Sequence, residues 1–530
     1  MDREADYVVV GTGSAGAVVA NRLSAGPGTQ VVVLEAGPAD RDKLVHIPAA
    51  FSKLFRSELD WDYLTEPQKE LGGRQIYWPR GRMLGGSSSM NAMMWARGFA
   101  ADYDEWATLV GPDWSYANLV DYFRRIEDAS DAWAFVDGDQ SGATGPLTIS
   151  AQRSPRSSTL AWLDAARQCG YPSARPNSMR PEGFCQAVVT QRRGSRWSTA
   201  DAYLKPVLRR ANLSVLTGAQ VTRVDIEDGR AVGVTFVQNG RRNVVRARRE
   251  VVLCSGAVNT PQLLMLSGIG DRERLAAHGI ATVHHAPEVG RNLQDHLVSV
   301  LGFEVEGDSL FAAEKPAQLA DYLLRRRGML TSNVGEAYGF LRSRADLELP
   351  DLELIFAPAP FFDEGLGTPS GHAVVFGPIL LRPYSRGEIS LRSADPLAKP
   401  VIDPRYLSDP AGADRAAMMW GLRTTARIAT APALRPLLTG IARPVGAREL
   451  DEATLQRALE TGAHTVYHPV GTARMGCDDA SVVDPQLRVR GVRGLRVADA
   501  SVMPTLIRGH THAPSVLIGE KVADLIRRAS

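Results

Sequence analysis

The sequence predicts an α/β fold: a parallel sheet carrying helices, interwoven with an α+β second domain built on an antiparallel sheet. Three observations predict it. The first 35 residues contain a β-branched run, a glycine-rich turn, an apolar-striped helix and a second strand ending in an acid. Two more glycine-rich turns recur at 81–98 and 250–270. Segments of this kind fall within 1–150, 195–300 and 455–530, whereas 151–194 and 301–454 carry none. At about 150 residues per domain, 530 residues suit two merged domains or one large fold.

DYVVV (6–10) is the short apolar run of a strand buried on both faces. It feeds Gly11-Thr-Gly13-Ser-Ala-Gly16, then a helix ending near Gly26, then QVVVLEAG with Glu35 nineteen residues after Gly16. The first glycine allows the tight turn, the second lets backbone approach a pyrophosphate, and the third lets helix pack on strand. The helix N-terminus offers N–H groups to the phosphates, and Glu35 can accept from the ribose hydroxyls. This is a Rossmann-like dinucleotide site, and its acid argues against a 2′-phosphate.

GRMLGGSSSMNAMMWARG (81–98) puts a loop of small donors directly before large apolar groups. A solvent loop rarely does so; this one suits a phosphate or a planar ring. EVVLCSGAVNTPQLLMLSGIG (250–270) reads as a strand, a turn at Ser255-Gly256, and a proline-started helix capped by Gly268. In the middle region LADYLLRRRG reads as helix, and DLELIFAP, HAVVFGPILL and GEISLRS as strands of the antiparallel sheet.

Composition excludes several classes. Hydrophobic residues at 44% and charged residues at 23% indicate a folded chain, and a net charge of +2 gives no bulk field toward nucleic acid. The triplet Arg325-Arg326-Arg327 reads as a solvated helix end. No apolar run of about 18 residues predicts a membrane span, and MDREADYVVV lacks the basic start of a signal peptide. Cys169, Cys185, Cys254 and Cys477 form no C-x-x-C pair, so a reducing, cytoplasmic setting is expected.

Ten histidines need sorting. His46, His278, His284, His285 and His372 read as surface or structural, and His296, in GRNLQDH, as the buttress of a turn. His464 and His468 have helical i, i+4 spacing, but Pro469 disfavours helix at His468, and no metal site is expected. His468 in YHPVGT and His510 and His512 in GHTHAP sit in rigid turns from two distant segments, which is what general-base chemistry needs.

These glycine segments, together with AADYDEW (100–106), GRNLQDH (290–296), HTVYHPVGTARMG (464–476) and GLRVADASVMPTLIRGHTHAPSVLIGEKVADLI (494–526), resemble the glucose–methanol–choline (GMC) oxidoreductases across nearly the whole chain. The resemblance implies FAD and an alcohol-oxidising enzyme. It implies Gly11, Gly13, Ser14, Ala15 and Gly16 at the pyrophosphate, Glu35 and Ala36 at the ribose, and Val221 at adenine. Arg82, Gly86, Asn91 and Met93 would follow the flavin, with Ser255, Gly256, Asp499, Ala500, His512 and Pro514 as further contacts. Some members tether FAD through a histidine where this chain has Met90, so FAD is expected to be non-covalent. The family assigns the base to His468 and its partner to His510; His512 stands where many members carry asparagine.

The energetics explain the pairing. An alcohol proton with a pKa near ~15.7 and an imidazole near ~6.5 leave a gap of roughly 12 kcal/mol for full transfer. The alkoxide must therefore be stabilised as it forms, as a second imidazole can do. Hydride would pass to the flavin, then electrons to oxygen or another acceptor. A hydroxynitrile-lyase chemistry on the same scaffold is the alternative. The closest resemblance is to choline-type members, yet around Asn333-Val334-Gly335-Glu336 the only nearby aromatic is Tyr338, which argues against a quaternary ammonium.

Overall fold

Arg3–Val10 lies in parallel between Val31–Leu34 and the end of the long strand Arg241–Leu253. Being covered on both faces is why residues 5–10 are all buried and the run reads without alternation. The computed structural model describes residues 3–134, 136, 141–179 and 181–529. Its first sheet runs in the order Leu213–Leu216, Val31–Leu34, Arg3–Val10, Arg241–Leu253, Arg230–Gln238 and Ala219–Glu227, with Leu495–Val497 also pairing on Arg241–Leu253. The strand Arg241–Leu253 does double duty. Its first half pairs antiparallel with Arg230–Gln238, and its second half joins the parallel layer.

Helix Gly16–Leu23 follows the first turn, and helix His512–Ala529 packs on it. A Cβ on Gly519 would stand 2.8 Å from the Ala15 carbonyl oxygen, so the two helices meet at bare backbone. Arg22 pairs with buried Glu520 at 2.7 Å across the same contact.

Helix Gly256–Leu266 departs from the sequence expectation: Pro261 lies inside it, not at its start. The missing proline N–H would orphan the Ala257 carbonyl. Instead the Thr472 hydroxyl donates to that oxygen at 2.7 Å.

The second sheet is antiparallel, as expected. Ala337–Leu341, Leu352–Ala357 and Ala373–Leu380 form its centre, and Ala373–Leu380 pairs with Leu297–Val298 and Leu301–Val305. Leu438–Arg443 joins Leu301–Val305, while His464–Thr465 joins Leu297–Val298. Glu388–Ser390, from GEISLRS, pairs instead with Val401–Asp403 in a separate ladder. Each sheet has its own apolar core. Among the described residues no helix is long and apolar enough to cross a membrane, and the four cysteines are unpaired.

Candidate active site

The glycine turns converge on one cleft of about 1070 Å³ at the end of the parallel strands. Gly11 holds φ +98°, and a Cβ there would stand 2.5 Å from the Cys254 carbonyl oxygen. Gly16 is a packing glycine: its Cβ would meet the Gly11 carbonyl at 2.0 Å. Gly13 and Gly256 differ, since no atom lies within 4 Å of either Cβ position. Both open onto the cleft, where a phosphate could approach backbone. A Cβ on Gly86 would stand 2.8 Å from the Gly13 Cα, so the serine loop lies directly on the dinucleotide turn.

Glu35 is buried at the cleft. Its Oε2 accepts from Thr12 N (3.0 Å) and Oγ1 (2.6 Å), and its Oε1 from Gly37 N (3.0 Å). Burial pushes its carboxyl above the usual range. Asp499 accepts from Gly256 N at 2.9 Å and the Thr260 hydroxyl at 2.6 Å, holding the start of helix Gly256–Leu266 toward the cleft. Ser14, Ala15, Ala36, Val221, Ser255 and Ala500 also line it. Arg82, Gly16 and Pro514 do not line this cleft or the cavity beyond it. Arg82 lies over the Trp61 ring at 5.1 Å, and Arg80 takes the lining position.

Through walls shared at Ser14, Arg80, Ser87, Ala500 and Ser515 the cleft continues into a second cavity of about 1290 Å³. His468, His510 and His512 all line it, as do Met90, Asn91 and Met93. Asn91 Oδ1 accepts from Met93 N and Arg196 Nη1, both at 2.9 Å, which fixes the turn at Met93, φ +56°.

The His468 and His510 rings lie 4.8 Å apart, centre to centre. Asp295 Oδ1 accepts the His468 backbone N–H at 2.8 Å, and Asp295 Oδ2 accepts from Thr465 Oγ1 at 2.6 Å and from the Tyr406 hydroxyl. Burial pushes Asp295 up to about 6. Tyr467, just before His468, holds φ +70°, a left-handed backbone rare outside glycine. Thr465 Oγ1, accepting from Tyr467 N at 2.6 Å, and Arg80, donating to Tyr467 O at 2.8 Å, keep it there.

His296 is more than a turn buttress. Its Nε2 lies 3.2 Å from the Leu381 carbonyl, which can only accept, so Nε2 carries the proton. Burial and then His510 push His296 down to about 3, so it stays neutral and its Nδ1 is an acceptor. His468 Nδ1, 2.9 Å away, must then donate to it. The lone pair of His468 therefore sits on Nε2, which takes no hydrogen bond among the described residues. Burial, then the imidazoles of His510 and His296, then Arg80, hold His468 well below the ordinary histidine range.

His510 Nε2 lies 3.1 Å from Oε1 of buried Glu353 and donates to it. A second proton on this ring would be matched by the carboxylate, leaving Nδ1–H to donate elsewhere. His512 accepts or donates at Nδ1 with the Ser14 hydroxyl (2.9 Å), while its buried Nε2 has no partner among the described residues. Such an orphan, beside open Gly13, fits a polar edge of a bound cofactor. His464 Nδ1 donates to the Thr465 carbonyl at 2.8 Å, and burial pushes His464 down to about 4; it is a strand histidine. Among the described residues no metal-binding group is found.

Beyond the histidines the cavity wall is largely apolar. It includes Val300, Val334, Ile355, Ala357, Val375 and Val466. Aromatic rings, of which the sequence around 333–336 offered only Tyr338, come from Phe51, Phe55, Phe361 and Tyr467. Phe55 meets Phe51 and Tyr467 edge-on, at 5.8 and 5.9 Å. The wall contains no carboxylate among the described residues, and Arg80 is part of it.

The chain matches the GMC oxidoreductase family over residues 5–298 and 383–519. An uncharacterised GMC-type oxidoreductase of Mycobacterium tuberculosis is 74% identical over 99% of this chain and 100% of its own. The alcohol dehydrogenase (acceptor) of Pseudomonas putida is 40% identical (99% and 96%), and the mitochondrial choline dehydrogenase of Homo sapiens 39% (99% and 90%). Among solved structures, the formate oxidase of Aspergillus oryzae, studied for modification of its FAD, superposes with a TM-score of 0.92 at 29% identity, covering 100% of this chain and 99% of that one. The lyase alternative finds no counterpart among these relatives.

Proposed function

The chain belongs to the GMC oxidoreductase family, whose members bind FAD, and on that premise we propose that it oxidises a neutral, apolar alcohol to the aldehyde or ketone, with His468 as the base. The observation that carries this reading is the pair of imidazoles 4.8 Å apart in an apolar cavity that is continuous with a dinucleotide cleft.

The residues fit FAD: open Gly13 and Gly256 at the phosphates, Glu35 at the ribose, and the orphan His512 Nε2 at the flavin end. Met90 lines the cavity and cannot form a histidyl link, which supports non-covalent binding. When bound, FAD supplies the hydride acceptor. The protein does the rest. His468 Nε2 takes the hydroxyl proton, and the α-carbon then releases its hydrogen with the electron pair. Burial, the neighbouring imidazoles and Arg80 oppose a proton on His468 in the resting site, and Arg80, with a His510 ring that Glu353 allows to carry an Nδ1–H, favours negative charge on the substrate oxygen. Glu353 balances His510 while that charge develops. The apolar wall excludes water, which strengthens these interactions.

The wall also bears on specificity. A cation would find no carboxylate and would face Arg80, so choline is disfavoured. Anaerobic mixing of the yellow holoenzyme with octanol, benzyl alcohol or choline tests the reading. Bleaching of the flavin by the neutral alcohols, and slower bleaching by choline, is expected. No bleaching by any neutral alcohol, or preference for choline, would overturn it. Admitting air to the reduced enzyme then separates an oxidase from a dehydrogenase that needs another acceptor.

A further inference from the structure

We propose that helix Pro316–Arg325 docks this enzyme on an anionic lipid surface. The inference goes beyond the reaction, and its test does not depend on turnover. The sequence PAQLADYLLR has the strongly amphipathic pattern of a helix that buries one side, yet Tyr322 is its one buried residue. Leu319 is 44% exposed, Leu323 59% and Leu324 83%, and Phe311 just before the helix is 40% exposed. Leu319 and Leu323 stand one turn apart, and Leu324 follows beside them. A contiguous leucine stripe facing water marks an interaction surface.

Charge decides what covers it. Arg325, Arg326 and Arg327 end the helix and are all exposed. Arg325 pairs with Asp321 at 3.6 Å, Arg326 lies over the Tyr322 ring at 4.8 Å, and Glu314 pairs with Lys53 at 2.6 Å, so the excess of basic charge is carried chiefly by Arg326 and Arg327. With Lys315, residues 314–327 carry four basic and two acidic groups. Leucines beside a basic cluster are the signature of a helix lying in a bilayer interface. A hydrophobic protein partner would be served by the leucines alone. The arginines add specificity for anionic headgroups.

The position agrees. The helix is held to the body by the Tyr322 hydroxyl, against Ser195 Oγ at 3.0 Å and the His46 carbonyl at 3.2 Å. On either side of it the turns Leu310–Glu314 and Met329–Thr331 send Leu310 and Met329 inward, into the apolar cluster of Phe51, Phe55, Ala357 and Val375. Those four line the second cavity. One segment thus packs against the cavity wall on its inner side and presents leucines on its outer side. A bilayer there would bring a lipid-dissolved alcohol beside the cavity.

Holoenzyme is sedimented with vesicles of phosphatidylcholine alone or mixed equally with phosphatidylglycerol. Binding to the mixed vesicles, weakened by salt, is expected. Replacing Leu319, Leu323 and Leu324 together by Ser should cut partition about tenfold or more, and Arg325→Gln with Arg326→Gln and Arg327→Gln roughly fivefold per arginine. Both variants should keep wild-type flavin content and wild-type rates on a water-soluble alcohol. Absence of binding to the mixed vesicles, or equal binding by the leucine variant, would overturn the proposal. So would light scattering that shows a wild-type dimer and a monomeric leucine variant, since the occupant would then be a second copy of this chain.

Discussion

The Nδ1 atoms of His296 and His468 face each other at 2.9 Å, and only one can carry a proton. The Leu381 carbonyl decides which, by taking the Nε2 proton of His296. His296 thereby fixes the tautomer of His468, the proposed base, and is expected to act as a positioning residue. His296→Asn retains an acceptor near the Nδ1 position and should keep most activity. His296→Ala should lower the rate of flavin reduction about 10–10²-fold, a loss comparable to removing the outer partner of a metal-bound histidine. Comparing the two variants by stopped flow checks this. Equal losses in both would assign His296 to packing alone.

His464 is buried at a pKa of about 4, while in the unfolded chain it returns to about 6.5. Below pH 6.5 the unfolded state therefore binds the extra proton, and stability is lost as pH falls toward 4. Against wild type, His464→Asn should gain about 1.4 kcal/mol per pH unit over that window. Carboxyls raised by burial, such as Asp295 at about 6, act in the opposite direction but cancel in the difference. The check is the Tm difference between the two proteins from pH 7 to pH 4.5. A difference independent of pH would refute the assignment.

Much of this was legible in local pattern. The run DYVVV, the glycines at 11, 13 and 16, and Glu35 are close in sequence, and spacing alone places them. His468 and His510 stood out because Tyr467 and Pro469 frame the first and Gly509 and Pro514 frame the second. What could not be read are partners brought in by sheet closure. Asp295 and His296 meet His468 only because Leu297–Val298 pairs with His464–Thr465. Glu353 reaches His510 from the central strand Leu352–Ala357. The paired acid and imidazole in GRNLQDH were the one local hint. Arg80 lines both cavities where Arg82 was expected, while Arg82 lies over the Trp61 ring.

Thr472 replaces the hydrogen bond that Pro261 removes from helix Gly256–Leu266. Thr472→Val keeps the shape and leaves the Ala257 carbonyl unpaired in a buried site. A loss of about 1–3 kcal/mol is expected, read as a lower Tm at unchanged flavin content. Thr472→Ser should recover most of it.

Glu35 accepts three hydrogen bonds from its own loop and lines the cleft. Glu35→Gln turns one acceptor into a donor facing donors, besides losing the charge proposed to meet the ribose. FAD affinity should fall by at least about tenfold, the loss of a charge-assisted bond worth roughly 1.5–3 kcal/mol. Fluorescence titration of the apoprotein measures it. In the same preparation, acid denaturation should release all flavin as free FAD, as Met90 implies.

The most direct test is the rate of anaerobic flavin reduction in wild type, His468→Ala, His510→Ala and the double variant, with a neutral alcohol as substrate. His468→Ala should lose about 10²–10⁴-fold, and His510→Ala a similar or smaller factor, partly restored in His510→Asn. If both rings act on one substrate oxygen, as proposed, the double variant should lose far less than the product of the single losses. Multiplicative losses, or near-normal reduction by His468→Ala, would contradict the shared-oxygen mechanism.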